Sequence, residues 1–170
     1  MRKPAVLILC VLFTTAAALA DQEAPAKPLS PPAKAEATLN GKKVTIDYSA
    51  PSKRNRVIMG GLVPYGQVWR TGANAATTLT TAADLTIGTL QVPKGTYTLY
   101  SIPGEKEWTL IVNKQTGQWG TSYDAAQDLG RVKMTVAPVK EIVETFVIGI
   151  DKALTLTWEN TRASVPVAVR

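Results

Sequence analysis

The sequence predicts an all-β domain: an antiparallel sandwich of jelly-roll type, with a closed barrel as the alternative. Three observations carry this. From Ala35 onward, apolar residues recur with period two. Gly and Pro fall between the alternating runs. No window holds a sustained helical stripe of apolar side chains.

The elements follow in order. Asn40-Gly41 is a two-residue hairpin signal. It precedes residues 43–49, where Val44, Ile46 and Tyr48 share one face and Thr45, Asp47 and Ser49 the other. Further strands are expected at 75–81, 84–92 and 95–102, separated by Pro93-Lys94-Gly95 and closed by Pro103-Gly104. Trp108, Leu110 and Val112 alternate with Thr109, Ile111 and Asn113. Val132, Met134 and Val136 alternate with Arg131, Lys133 and Thr135, and Pro138 interrupts the chain before a strand at 142–150. Leu154, Leu156 and Trp158, then Val165, Val167 and Val169, complete the pattern. Residues 123–129 are expected to form one short helical turn. Thr and Val are abundant, as the pleated surface prefers.

The N-terminus reads differently. Arg2 and Lys3 precede an uncharged apolar run, 5–13, and Ala18-Leu19-Ala20 places small residues where a signal peptidase reads. This predicts a secretory signal peptide over 1–20 and a protein exported to the periplasm or the extracellular space. The run is too short to cross a bilayer, and no later run is longer, so no membrane span is expected in the mature chain. Cleavage would remove Cys10, the single Cys, leaving no disulfide to support the fold. Residues 21–34 contain four Pro and read as a linker, with the domain at 35–170.

Composition excludes much chemistry. There is no His. Ser-His-Asp triads, Cys-His pairs and His metal ligands are therefore absent, and neither a metal nor a cofactor is expected. The formal charge of +6 is scattered. Its densest cluster, Lys53-Arg54-Asn55-Arg56, reads as a solvated loop, and nothing points to nucleic acid.

One segment breaks the alternation. Residues 50–74, APSKRNRVIMGGLVPYGQVWRTGAN, form a long connection rich in Gly and Pro, with four cations. Connections of this length inside a compact domain are usually functional. A guanidinium can grip a carboxylate or phosphate with two parallel bonds. Arg56 and Arg70, beside Tyr65 and Trp69 as an aromatic platform and Asn74 as a donor and acceptor, therefore form a candidate site for an anionic or glycan ligand. The structural alternative is that Arg70 pairs with Asp47 or Asp84 while Trp69 fills the core. Trp119 and Tyr123 form a second aromatic pair suited to stacking on a sugar ring. No catalytic residue is assigned. The reading is a non-catalytic binding or structural module of the cell envelope. The alternative is a hydrolase of an envelope glycan or peptide that uses two facing carboxylates, with Asp47, Asp84, Asp124, Asp128 and Glu159 as candidates.

The same residues carry a resemblance. Ile46-Asp47-Tyr48-Ser49-Ala50-Pro51-Ser52, Gly61-Leu62-Val63-Pro64-Tyr65-Gly66 and Val68-Trp69-Arg70-Thr71-Gly72-Ala73-Asn74 resemble the DUF2911 family of bacterial exported domains. So do Pro93-Lys94-Gly95-Thr96-Tyr97, Ser101-Ile102-Pro103-Gly104 and Trp119-Gly120. The resemblance covers roughly residues 35–165. It implies a fold and a compartment and no reaction. The chain departs from the pattern at Ala50 and Ala75, where members often carry Arg and Glu.

Overall fold

The structure, a computed structural model, describes residues 28–170. The expected signal peptide at 1–20 and the first part of the linker lie outside the described residues. Nine antiparallel strands follow: β1 (Pro32–Leu39), β2 (Lys42–Ser49), β3 (Thr78–Thr81), β4 (Leu85–Ile87), β5 (Leu90–Val92), β6 (Gly95–Ile102), β7 (Glu107–Asn113), β8 (Asp128–Ile150) and β9 (Ala153–Val169). β1 takes up the last three residues of the segment read as linker.

The strands form one sheet in the order β1-β2-β3-β6-β7-β8-β9-β4-β5. β1 and β5 are its two edges, so the sheet is not closed and the barrel alternative falls away. The sheet curls until β1 and β2 lie against β8, and the two halves face each other as in a sandwich. Two very long strands make this possible. β8 pairs with β7 through Asp128–Thr135, and with β9 from Thr135 to Ile150 through register shifts after Pro138 and Val143. Pro138 is tolerated because the ladder is already interrupted there. The two expected strands around it are therefore one bent strand. Conversely, the expected strand 84–92 is a hairpin, because Gly88 takes φ +60° between β4 and β5.

The alternation places the core. Val44, Ile46, Leu99, Trp108, Leu110, Val112, Phe146, Leu154, Leu156 and Trp158 are all buried in one cluster. Asn40 and Gly41, at φ 47° and 75°, form the hairpin turn read from the sequence. β6 is buried on both faces. Leu99 points into the sandwich, while Thr98 and Tyr100 lie under the loop 114–124 on the outside. The helical turn expected near 123–129 is a single 3-10 turn, Ala125–Gln127, capped by the Asp124 side chain.

Candidate functional site

The chain leaves β2 at Ser49 and enters the long connection. Three apolar side chains, Ile58, Met59 and Val63, turn inward and join the core. The polar backbone around them needs partners, and Glu159 supplies them. Its carboxylate accepts the Ile58 and Met59 N–H groups, each at 3.3 Å, and meets Lys53 Nζ at 3.4 Å. Glu144 adds a second anchor by accepting the Arg54 N–H at 2.7 Å. Both acids lie on the β8–β9 ribbon, and nothing in the sequence spacing identifies them as loop anchors.

Further on, Trp69 and Ser101 exchange backbone hydrogen bonds of 2.7 and 2.9 Å. The segment thus continues the sheet beside the end of β6. Paired residues share a face, so Trp69 points into the sandwich and Arg70 points outward. Trp69 stacks on Trp158 at 5.9 Å and meets Phe146 edge-on at 5.0 Å. The Arg70 stem lies against Gly120, where an added Cβ would sit 2.7 Å from Arg70 Cδ and 2.7 Å from the Asn74 carbonyl oxygen. Only glycine leaves room for that stem.

Between the connection and the loop 114–124 lies a cavity of about 740 Å³. That is within the usual range for small-molecule sites. Its lining includes Arg54, Arg56 and Arg70, the aromatic rings of Trp69, Tyr100, Tyr123 and Trp158, and Asn74. Among the described residues, no Asp or Glu lines it. Among the described residues, none of the three guanidinium groups is in an ion pair. Arg56 is aimed by the carbonyls of Ser52 and Lys53, to which it donates at 2.7 and 3.0 Å. Arg70 has a single long bond, 3.4 Å, to the Gly72 carbonyl. The expected pairing of Arg70 with Asp47 or Asp84 is not formed: Asp47 pairs with Lys34, and Asp84 accepts the Lys94 N–H.

Of the seven residues singled out in the sequence, Arg56, Trp69, Arg70, Asn74 and Tyr123 come together around this cavity. Tyr65 and Trp119 do not line it. Tyr65 lies over Gly60, and Trp119 is exposed while its backbone bridges to Ala75. Arg54 and Tyr100 do line it and were not singled out. Tyr100 is the detectable one, as a large aromatic at an outward position of β6.

Backbone strain concentrates here. Among the described residues, six non-glycine residues have positive φ. One is the turn residue Asn40. The other five, Arg54, Asn55, Thr71, Asn74 and Glu159, lie in the connection or at its anchor. Such residues cost about 1–3 kcal/mol each and persist where the surroundings over-determine them.

Tyr123 closes one end. Its hydroxyl donates to Asp128 at 2.8 Å and accepts from Arg131 at 2.8 Å, and its ring meets Tyr100 at 4.8 Å. Burial, helped by the Asp128 carboxylate, pushes its hydroxyl above the usual tyrosine range. The carboxylates considered for hydrolysis are spent elsewhere: Asp124 caps the 3-10 turn, Asp128 binds Tyr123 and Asn113, and Glu159 holds the connection. Among the described residues no three acids cluster to hold a metal ion, and no helix is long and apolar enough to cross a membrane.

A family model described as "Protein of unknown function (DUF2911)" matches residues 30–167, nearly the whole of the described domain. The chain belongs to the DUF2911 family. No curated protein and no solved structure matches it. The match begins at Ser30, two residues before β1, and ends inside β9, so this DUF2911 domain includes both walls of the cavity.

Proposed function

We propose that this DUF2911 domain is a non-catalytic binding module of the cell envelope and that its cavity takes an anionic ligand. The observation that carries the reading is the charge of the lining: among the described residues it has three arginines and no carboxylate. A cleft of one sign walled by aromatic rings focuses its field on an incoming anion, and a guanidinium supplies paired donors for an oxyanion. Trp69 and Tyr123, both partly exposed, offer ring surface for the remainder of the ligand. A two-carboxylate hydrolase would need two acids across a cleft, and among the described residues this cleft has none. The signal-peptide pattern of residues 1–20 supports export.

The test is a thermal shift and titration with glucuronate, against glucose as the neutral control. Glucuronate should raise the melting temperature with an effect that fades as salt is added. Glucose should not, and Arg70→Ala should abolish the response. Absence of any response to glucuronate, citrate and phosphate would overturn the reading.

A further inference from the structure

The cavity has a second property that charge alone does not explain. Folded domains rarely gather exposed apolar side chains in one place. Here Leu29, Leu62 and Val68 line the cavity and yet are 72%, 48% and 39% exposed. Val57, 69% exposed, adjoins them, because its carbonyl accepts the Leu62 N–H at 3.0 Å. These residues sit at the mouth, on the same connection as Arg54 and Arg56.

We infer that the ligand is a small amphiphile: an oxyanion head held by the arginines, with a hydrocarbon tail lying on Leu29, Leu62 and Val68. This rests on the anion-binding reading and narrows it. The side chains of Leu29, Leu62, Val63, Pro64 and Val68 offer no hydrogen-bonding group. A peptide or a sugar chain laid there would find only Ser30 and Gln67 beside these residues, too few partners for its repeated amides or hydroxyls, which is costly once water is excluded. A hydrocarbon tail carries no such groups and gains from covering the patch. Each methylene it buries should strengthen binding about fourfold.

The experiment is calorimetric titration of the chain with acetate, hexanoate and octanoate, all monomeric, with glucuronate run in parallel. Octanoate should bind on the order of fiftyfold tighter than acetate if about three methylenes are buried. Leu62→Ser with Val68→Ser, both exposed positions, should flatten this dependence on chain length and leave glucuronate binding in place. Glucuronate binding without any gain from acetate to octanoate would overturn the amphiphile and leave the anion site standing. Failure of every anion would overturn both. A chain-length gain that survives the double substitution would remove the tail from this patch. Tighter binding of a Leu-Leu dipeptide than of octanoate would assign the site to peptides, and sedimentation with phosphatidylglycerol vesicles without octanoate binding would make it a surface for membranes; either overturns the inference.

Discussion

The two walls of the cavity are held by different chemistry. The 50–74 wall is anchored by charge: Glu159 grips two backbone N–H groups and Lys53, and Glu144 grips a third N–H. The 114–124 wall is anchored mostly by neutral groups, with one charged clamp at its end, where Asp128 and Arg131 hold the Tyr123 hydroxyl. Gln118 Nε2 donates to Thr98 Oγ1 at 3.2 Å and to the Tyr100 hydroxyl at 3.1 Å, and Tyr100 in turn donates to the Ser122 carbonyl at 3.2 Å. The contrast explains the charge of the cleft. The acids nearest the arginine-bearing wall are used behind it, on backbone donors, and the acid that serves the opposite wall, Asp128, is occupied by Tyr123, Asn113 and Arg131. Among the described residues, the guanidinium groups are left facing the open space without an acid beside them.

Substitutions can break that contrast, beginning with the ring that seats the first wall in the core. Trp69→Ala removes an indole packed on Trp108, Phe146 and Trp158. It should cost about 3–5 kcal/mol in chemical denaturation, and an unchanged midpoint would refute the anchoring role. Glu159→Ala tests the charged anchor. It strands the Ile58 and Met59 N–H groups and should cost about 1–3 kcal/mol, with faster hydrogen exchange confined to the 50–74 wall. Gln118→Ala tests the neutral anchor and should cost about 1 kcal/mol, with the exchange increase on the other wall. If either variant loosened both walls equally, they would be one unit and the contrast would fail.

Two smaller effects sharpen the picture. Arg70→Ala removes a half-buried side chain with no acid partner, so stability should change by no more than about 0.5 kcal/mol while anion binding is lost. A large destabilisation would return Arg70 to a structural role. Tyr123 gives a pH signature. Its folded pKa is raised, chiefly by burial. The native state therefore keeps a proton that the unfolded chain has given up above about pH 10. Its contribution is complete below that pH and is lost as the pH rises toward the raised value. Tyr123→Phe should flatten the decline in melting temperature above about pH 10, and a decline as steep as the parent's would dismiss this cause.

Much of this was legible in the sequence, for a physical reason. Strand alternation is a local signal, so β2, β7 and β9 follow from Val44/Ile46, Trp108/Leu110/Val112 and Leu154/Leu156/Trp158. The hairpin follows from Asn40-Gly41 alone. The break at 50–74 marks the site because an unpaired connection with buried apolar residues must be built for something. What stayed hidden depends on pairing across long separations. Glu159 and Ile58 are 101 residues apart, and no periodicity relates them. Pro138 reads as a strand end, yet the ladder shifts register there and the strand continues. Tyr65 and Trp119 have the right chemistry, and only the path of the backbone takes them away from the cavity.

The β8–β9 ribbon has one more consequence, in the order of assembly. Its two strands are joined through Asp151 and Lys152 alone, so bringing them together closes a very short loop, the entropically cheapest kind. The first connection of the site closes far longer ones, between Lys53 and Glu144 and between Ile58 and Glu159. Contacts so distant in the chain are slow to form. The ribbon should therefore appear early in folding and the cavity late, because both acids that fasten the arginine-bearing wall ride on strands that must already be in place. During synthesis the wall emerges first, as residues 50–74, and has nothing to fasten to until the C-terminal strands have followed. Nascent chains stopped short of β9 should carry the arginines and the exposed apolar residues without the pocket that organises them.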